Sequence, residues 1–318
     1  MLFHLLQVRA YESEISVRYD QEKMRCPVHL SIGQEAVAAA ISCVLTDNDL
    51  AVSSHRSHAH YLGKGGRGDK MIAEIYGKAS GCSGGMGGSM HLVDLECGFK
   101  GATPIVGNSI PVGVGLALAL QLDGKSHIAC AFFGDGAVEE GVFYESLNFS
   151  ALRKLPVLFL CENNLYSTYS ALDVRQPDGR NTLEMVEKIG VPARHCDGYD
   201  VLECYSVLEE EVDQIRQGDG PRFIEFATYR WQEHCGPNYD YHVGYRSQEE
   251  FEKWQMRDPV VRYRLWLLEN GKVTEDEILE IENRVQEEVA QAFEFADKAP
   301  FPSKEQAFSN IFKEVAEL

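Results

Sequence analysis

Gly134-Asp135-Gly136 closes one apolar run, His127 to Phe133, and Asn163-Asn164 closes the next, Pro156 to Cys161. Both runs are short and bounded by turn formers, the pattern of strands buried in a parallel sheet. Between them Phe143, Leu147 and Ala151 recur at helical spacing, so the segment reads strand, tight turn, helix, strand. Neighbouring parallel strands bring Asp135 and Asn164 to one carboxyl edge, where ligands of open α/β sheets collect. A carboxylate oxygen and an amide oxygen are hard donors that suit Mg²⁺ and leave positions for phosphate oxygens and water. Gly134 and Gly136 let the backbone approach such a ligand. The pairing therefore describes a magnesium diphosphate site. Its plainer competitor is an ordinary Asp-Gly turn followed by cap asparagines.

The elements that must carry these residues follow from the same kind of pattern. Residues 1–23 are amphipathic at helical period, and Gly33 to Leu45 reads as an alanine-rich helix. A strand at Leu50 to Ser53 runs into a loop with three histidines, His55, His58 and His60. Gly81 to Gly88 is too rich in glycine for a regular element and suits a wrapping loop. Asn108 to Leu122 is an apolar helix whose Gly113, Gly115, Ala117 and Ala119 permit close packing, a surface for another subunit included. Leu165 to Asn181 is polar and turn-rich, a surface loop. Strands at Ala193 to Cys196 and Arg222 to Ala227 flank a helix at Leu202 to Gln217, and helices dominate from Ser247 onward, Thr274 to Lys298 being the longest. Strands alternating with helices imply a parallel sheet with helices on both faces.

At 318 residues and 44% hydrophobic, the chain is long enough for one large α/β domain. Its net charge of −19 argues against nucleic acid or an anionic membrane surface, which require basic patches. The nine cysteines form no CxxC pair and read as reduced thiols of a cytoplasmic protein. The first residues lack a signal-peptide layout and no stretch has the length of a membrane span, so neither export nor membrane insertion is expected. The HxxHxH spacing of His55, His58 and His60 superficially suits zinc, but no cysteine or carboxylate completes it, which favours loop or anion-contact roles.

A series of ordered matches decides between the readings. Gly134-Asp135-Gly136, Glu140-Gly141, Leu155-Pro156 and Asn163-Asn164 together resemble the thiamine diphosphate motif. Around them stand His29-Leu30, Gly33-Gln34-Glu35-Ala36, Gly87-Gly88-Ser89-Met90-His91, Ile105-Val106-Gly107, Thr228-Tyr229-Arg230 and His234. In this order they resemble the alpha subunit of the decarboxylating first component of 2-oxo acid dehydrogenase complexes, the pyruvate and acetoin types included.

The resemblance implies the thiamine diphosphate-binding fold in a single domain over residues 1–318, with a helical segment at 1–45 and a helical tail at 247–318. The implied activity is oxidative decarboxylation of a 2-oxo acid with acyl transfer to lipoamide. Mg²⁺ falls to Asp135, Asn164 and the main-chain carbonyl of Tyr166. Thiamine diphosphate falls to Arg56, Ile105, Val106, Gly134, Asp135, Gly136, Ala137, Asn164, Tyr166 and His234. His29 and His234 take catalytic roles, and Arg230 supports the His234 loop by charge. The activating glutamate lies on a separate beta chain, which implies an α₂β₂ heterotetramer served by a lipoyl-bearing acyltransferase component. Four departures stand out: His55 where the family has tyrosine, Pro27 beside His29, Pro104 for a common glycine, and Cys235 where some relatives carry a regulatory serine. Three other readings compete, namely an acetoin-cleaving dehydrogenase, the amino-terminal half of a split transketolase, and a scaffold subunit without turnover.

Overall fold

Alternation along two central strands decides where everything else packs. In β3 (Ala129–Gly134), Cys130 and Phe132 join the core on one face while Ala129, Ala131 and Phe133 join it on the other. β4 (Val157–Asn163) divides the same way, with Leu158 and Leu160 opposite Val157, Phe159 and Cys161. A sheet apolar on both faces must be covered on both. The computed structural model describes residues 1–24 and 26–308. Among them β1 (Leu50–Ser53), β2 (Phe99–Ala102), β7 (Ala193–Asp197) and β8 (Arg222–Ala227) complete a six-stranded sheet in the order β2-β1-β3-β4-β8-β7. Every pairing in it is parallel.

One face is covered by α1 (Leu2–Arg18), α2 (Glu35–Val44), α3 (His58–Gly63), α4 (Gly68–Ile75), α9 (Val201–Arg216) and α12 (Glu275–Lys298), which contribute Leu5, Ile41, Tyr61, Ile72, Leu208 and Phe293 to its core. The other is covered by α5 (Ser109–Leu122), α6 (Gly141–Arg153) and α8 (Thr182–Ile189), through Ile110, Val114, Phe143, Leu147 and Val186. α12 starts sharply because Thr274 and Glu277 cap each other's backbone N–H groups. α10 (Gln248–Gln255) and α11 (Pro259–Glu269) precede it; of the helical tail expected over 247–318, positions 309–318 lie outside the described residues. No described helix is long and apolar enough to cross a membrane.

The structure departs from the sequence pattern in two places. β2 has only four residues, Phe-Lys-Gly-Ala, and no alternation; pairing with β1 at the sheet edge makes it a strand. The segment after Asn164 is more ordered than a surface loop, folding as a hairpin of β5 (Tyr166–Ser167) and β6 (Ser170–Ala171) followed by α7 (Leu172–Arg175).

The glycine-rich stretch is organised by one carboxylate. Glu74, fully buried at the end of α4, accepts N–H groups from Ser83 and Gly85 at 2.8 Å, Gly87 at 2.7 Å and Gly88 at 3.1 Å. Gly85 has φ +78°, and a side chain there would stand 2.6 Å from the Lys78 carbonyl oxygen. Four N–H donors converging on one carboxylate replace the water it lost on burial. Glu74→Gln turns a donor toward these donors and is expected to destabilise the fold by about 3 kcal/mol. A lowered urea midpoint, with new proteolytic cleavage between residues 81 and 88, checks it.

Candidate active site

Parallel pairing of β3 with β4 runs from Ala129 opposite Val157 to Gly134 opposite Glu162. The next residues past each strand, Asp135 and Asn164, therefore emerge side by side, and the Asn164 N–H donates to Asp135 Oδ1 at 3.3 Å. They border a cavity of about 300 Å³. His29, Arg56, Val106, Gly134, Gly136, Ala137, Tyr166 and His234 line it too. Ile105, between the lining residues Pro104 and Val106, is itself outside the lining and 68% exposed.

Asp135 is only 3% exposed. Burial raises its pKa, and the Arg175 guanidinium, paired with its Oδ2, opposes that rise. Arg175 also pairs with Glu139. The polar composition of residues 165–181 gave no sign that α7 would return a cation to the strand edge. Asn164 Oδ1 accepts the Tyr166 N–H at 3.2 Å, and the Tyr166 hydroxyl donates to Glu250 at 2.8 Å. The two glycines differ in use. A side chain on Gly134 would meet nothing nearer than 3.9 Å, which leaves the strand end open to a ligand. A side chain on Gly136 would collide with Ser167 at 2.7 Å, so that glycine makes room for the hairpin.

A second wall is built by segments far apart in the chain. Trp231 N–H donates to the Ile32 carbonyl and Gly236 N–H to the Val28 carbonyl, both at 2.9 Å, so residues 231–236 lie along 28–32. Arg56 bridges the two, donating to the carbonyls of Leu30 at 2.5 Å and His234 at 3.2 Å. The result is a cluster of three imidazoles. The ring centroid of His29 is 4.6 Å from that of His55 and 5.1 Å from that of His234. Burial first, and the Arg56 charge second, push the three down to about 2 for His29, 4 for His55 and 3 for His234. Burial also lowers Arg56 itself to about 10, which leaves it a cation at neutral pH. The imidazole nitrogens lie within 4.8 Å of one another, but the Arg56 cation beside them opposes a dication. It favours an anion.

The dehydrogenase E1 component family profile matches residues 4–305. The chain belongs to this family. It is 36% identical over 308 residues to the pyruvate dehydrogenase E1 component subunit alpha of Rickettsia bellii, covering 97% of this chain and 93% of that one. The chloroplastic subunit alpha-3 of Arabidopsis thaliana is 36% identical over 310 residues, 96% of this chain and 72% of its own. The corresponding subunit of Porphyra purpurea is 35% identical over 306 residues, 94% and 88% respectively.

In this E1 chain the three histidines after β1 part company. His55 joins the cluster, whereas His58 is fully buried between Glu12, at 2.8 Å, and Ser89, at 2.7 Å. His60 turns to Ser53, with its Nδ1 2.8 Å from the hydroxyl. The zinc spacing therefore has no convergent site behind it. Arg230, also fully buried, donates to the carbonyls of Gln232 and Thr168 at 2.7 Å, which ties the loop of His234 to the β5–β6 hairpin.

The imidazole cluster gives the E1 chain a pH signature. A histidine with a depressed folded pKa takes up protons more readily when unfolded, so stability is unaffected above the ordinary 6.5 and falls below it, down to about 4 for His55. His55→Asn should lose less melting temperature than the unaltered chain between about pH 6.5 and 4. Parallel thermal melts across that range check it.

Proposed function

We propose that the chain is the diphosphate-binding alpha subunit of a thiamine diphosphate-dependent 2-oxo acid dehydrogenase, with Mg²⁺ held by Asp135, Asn164 and the Tyr166 carbonyl. The juxtaposition of Asp135 and Asn164 at the mouth of the β3–β4 edge, opposite Arg56, carries the reading. The residues fit the group. Asp135 is a buried carboxylate already matched by a cation, Arg175, and its neighbour is a neutral amide oxygen, which is the donor set of a hard dication. Across the cavity, Arg56 and His234 offer the positive and N–H-donating wall that a diphosphate requires. Bound there, thiamine diphosphate supplies the nucleophilic carbon and the electron sink for decarboxylation.

This chain's part is to bind, orient and hydrogen-bond. His29 is 6% exposed and its Nδ1 has no partner among the described residues, so a polar atom in the cavity can take it up. With its pKa held so low, the His29 ring stores no proton at neutral pH and acts as an uncharged hydrogen-bonding group toward the acyl portion. Replacement of the family tyrosine by His55 alters the wall beside it.

A beta subunit completing the site in an α₂β₂ assembly is part of the proposal, as are acyl transfer to a lipoyl-bearing component and a cytoplasmic setting. Names of the relatives support the partner, since each is a subunit alpha. The surface supports it too: Ile105 beside the cavity, Leu122 on α5 and Leu152 on α6 are apolar and 68%, 78% and 75% exposed.

Calorimetric titration with thiamine diphosphate and Mg²⁺, with and without the beta subunit, tests the binding. Binding should appear and weaken by more than about 100-fold in Asp135→Ala, since even outer contacts of metal sites are worth 10- to 100-fold. No binding in either setting overturns the proposal. Dye-linked oxidation of 2-oxo acids should be absent with this chain alone and restored by the beta subunit; full turnover by the chain alone rules out the divided site.

A further inference from the structure

Behind Asn164 runs a chain of buried polar groups whose donors and acceptors can be matched in only one way. Glu162, the residue opposite Gly134 in the β3–β4 ladder, is 6% exposed, and its Oε2 accepts from Gln34 Nε2 at 3.1 Å. Gln34, 1% exposed at the start of α2, turns its Oε1 to Asn164 Nδ2 at 3.3 Å. On the far side, His60 Nε2 lies 3.2 Å from Glu162 Oε1, too poorly aligned for a hydrogen bond but close enough for an electrostatic contact. Its ring is held by stacking on Phe132 with centroids 4.0 Å apart.

An amide side chain has one donating end and one accepting end, whereas a carboxylate only accepts. Glu162 therefore takes the NH₂ end of Gln34 and leaves Gln34 its oxygen. That oxygen takes the NH₂ end of Asn164, and Asn164 is left with its own oxygen, which accepts the Tyr166 N–H at 3.2 Å and keeps a second lone pair for a ligand. Reversing either amide sets two acceptors or two donors against each other among residues no more than 7% exposed, at about 1–3 kcal/mol for each group left unsatisfied. We propose that Gln34 and Glu162 are positioning residues for the metal site, which through this relay of polarity make Asn164 present oxygen and not nitrogen. The proposal rests on the reading of Asp135 and Asn164 as metal ligands. Neither Gln34 nor Glu162 touches the ion. Each acts through Asn164.

Mn²⁺ is the probe, its binding to the full chain in the presence of thiamine diphosphate followed by electron paramagnetic resonance. E162Q gives Gln34 a neighbour that can donate as well as accept, so Gln34 becomes free to reverse and to turn its NH₂ toward Asn164 Nδ2, which leaves the Tyr166 N–H alone to hold the Asn164 oxygen in place. Mn²⁺ affinity should then fall tenfold or more, roughly the effect of an outer contact at a metal site. The double variant Q34E/E162Q restores the polarity with the carboxylate moved one place: the new carboxylate at position 34 accepts from Asn164 Nδ2 and from the new amide at 162. It should recover affinity to within about threefold of the unaltered chain, a rescue that a loss of packing alone does not produce. Thermal melts establish that both variants fold. Affinity unchanged in E162Q, or a double variant that binds no tighter than E162Q, overturns the relay. If E162Q does not fold, the double variant decides alone, and weak Mn²⁺ binding by it overturns the relay. Absence of Mn²⁺ binding by the unaltered chain both with and without the beta subunit removes the metal reading itself, and the relay with it.

Discussion

Six consecutive pairs, from Ala129 with Val157 to Gly134 with Glu162, set the register between the two central strands. A slip of one residue moves every side chain to the opposite face, and with both faces buried under helices neither strand can tolerate it. The apolar alternation of Cys130, Ala131, Phe132 and Phe133 thus does more than fill a core. It determines which polar residues are the first to pass the sheet edge, and at what height. Asp135 leaves β3 where Asn164 leaves β4, and Glu162 stays one step inside, in reach of Gln34. The site geometry is the sheet register continued beyond the last ladder bond.

Charged groups at this edge are withdrawn from water and each is given specific company. Asp135 has Arg175, Glu162 has Gln34 and the contact with His60, and Arg56 has the carbonyls of Leu30 and His234. Each of these partnerships joins segments distant in sequence, and breaking one leaves an uncompensated buried group.

What was legible in the sequence was local. The apolar runs before Asp135 and Asn164 and the 3.6-residue period of Phe143 and Leu147 state their structures within a dozen residues, the last long helix opens at Thr274 as its pattern predicts, and β1 and β8 lie where their patterns put them. The partners of Glu74, Arg175 and Gln34 were not legible. Arg175 sits in a polar segment whose composition describes exposure, yet an ion pair across 40 positions draws its side chain in until only 10% of it is exposed. Gln34 and Glu162 are 128 residues apart and neither breaks the periodicity of its own element. The triad of His29, His55 and His234 likewise exists only once residues 231–236 pair with 28–32. Periodicity reports which face a residue takes, and says nothing of whom it meets there.

The loop carrying His234 is held at both ends. Trp231 and Gly236 donate to the 28–32 segment, Glu233 N–H donates to the Asn238 carbonyl at 2.8 Å, and buried Arg230 and Arg246 share Asp240 while also donating to the carbonyls of residues 168 and 230–232 and, from Arg230, to the Tyr245 hydroxyl. Two guanidiniums against one carboxylate leave a surplus positive charge that backbone dipoles must absorb, so the loop has few alternative conformations that satisfy it. Its ordering entropy is settled when the chain folds. A ligand entering the cavity meets His234 preorganised, and none of its binding free energy is diverted to arranging that wall.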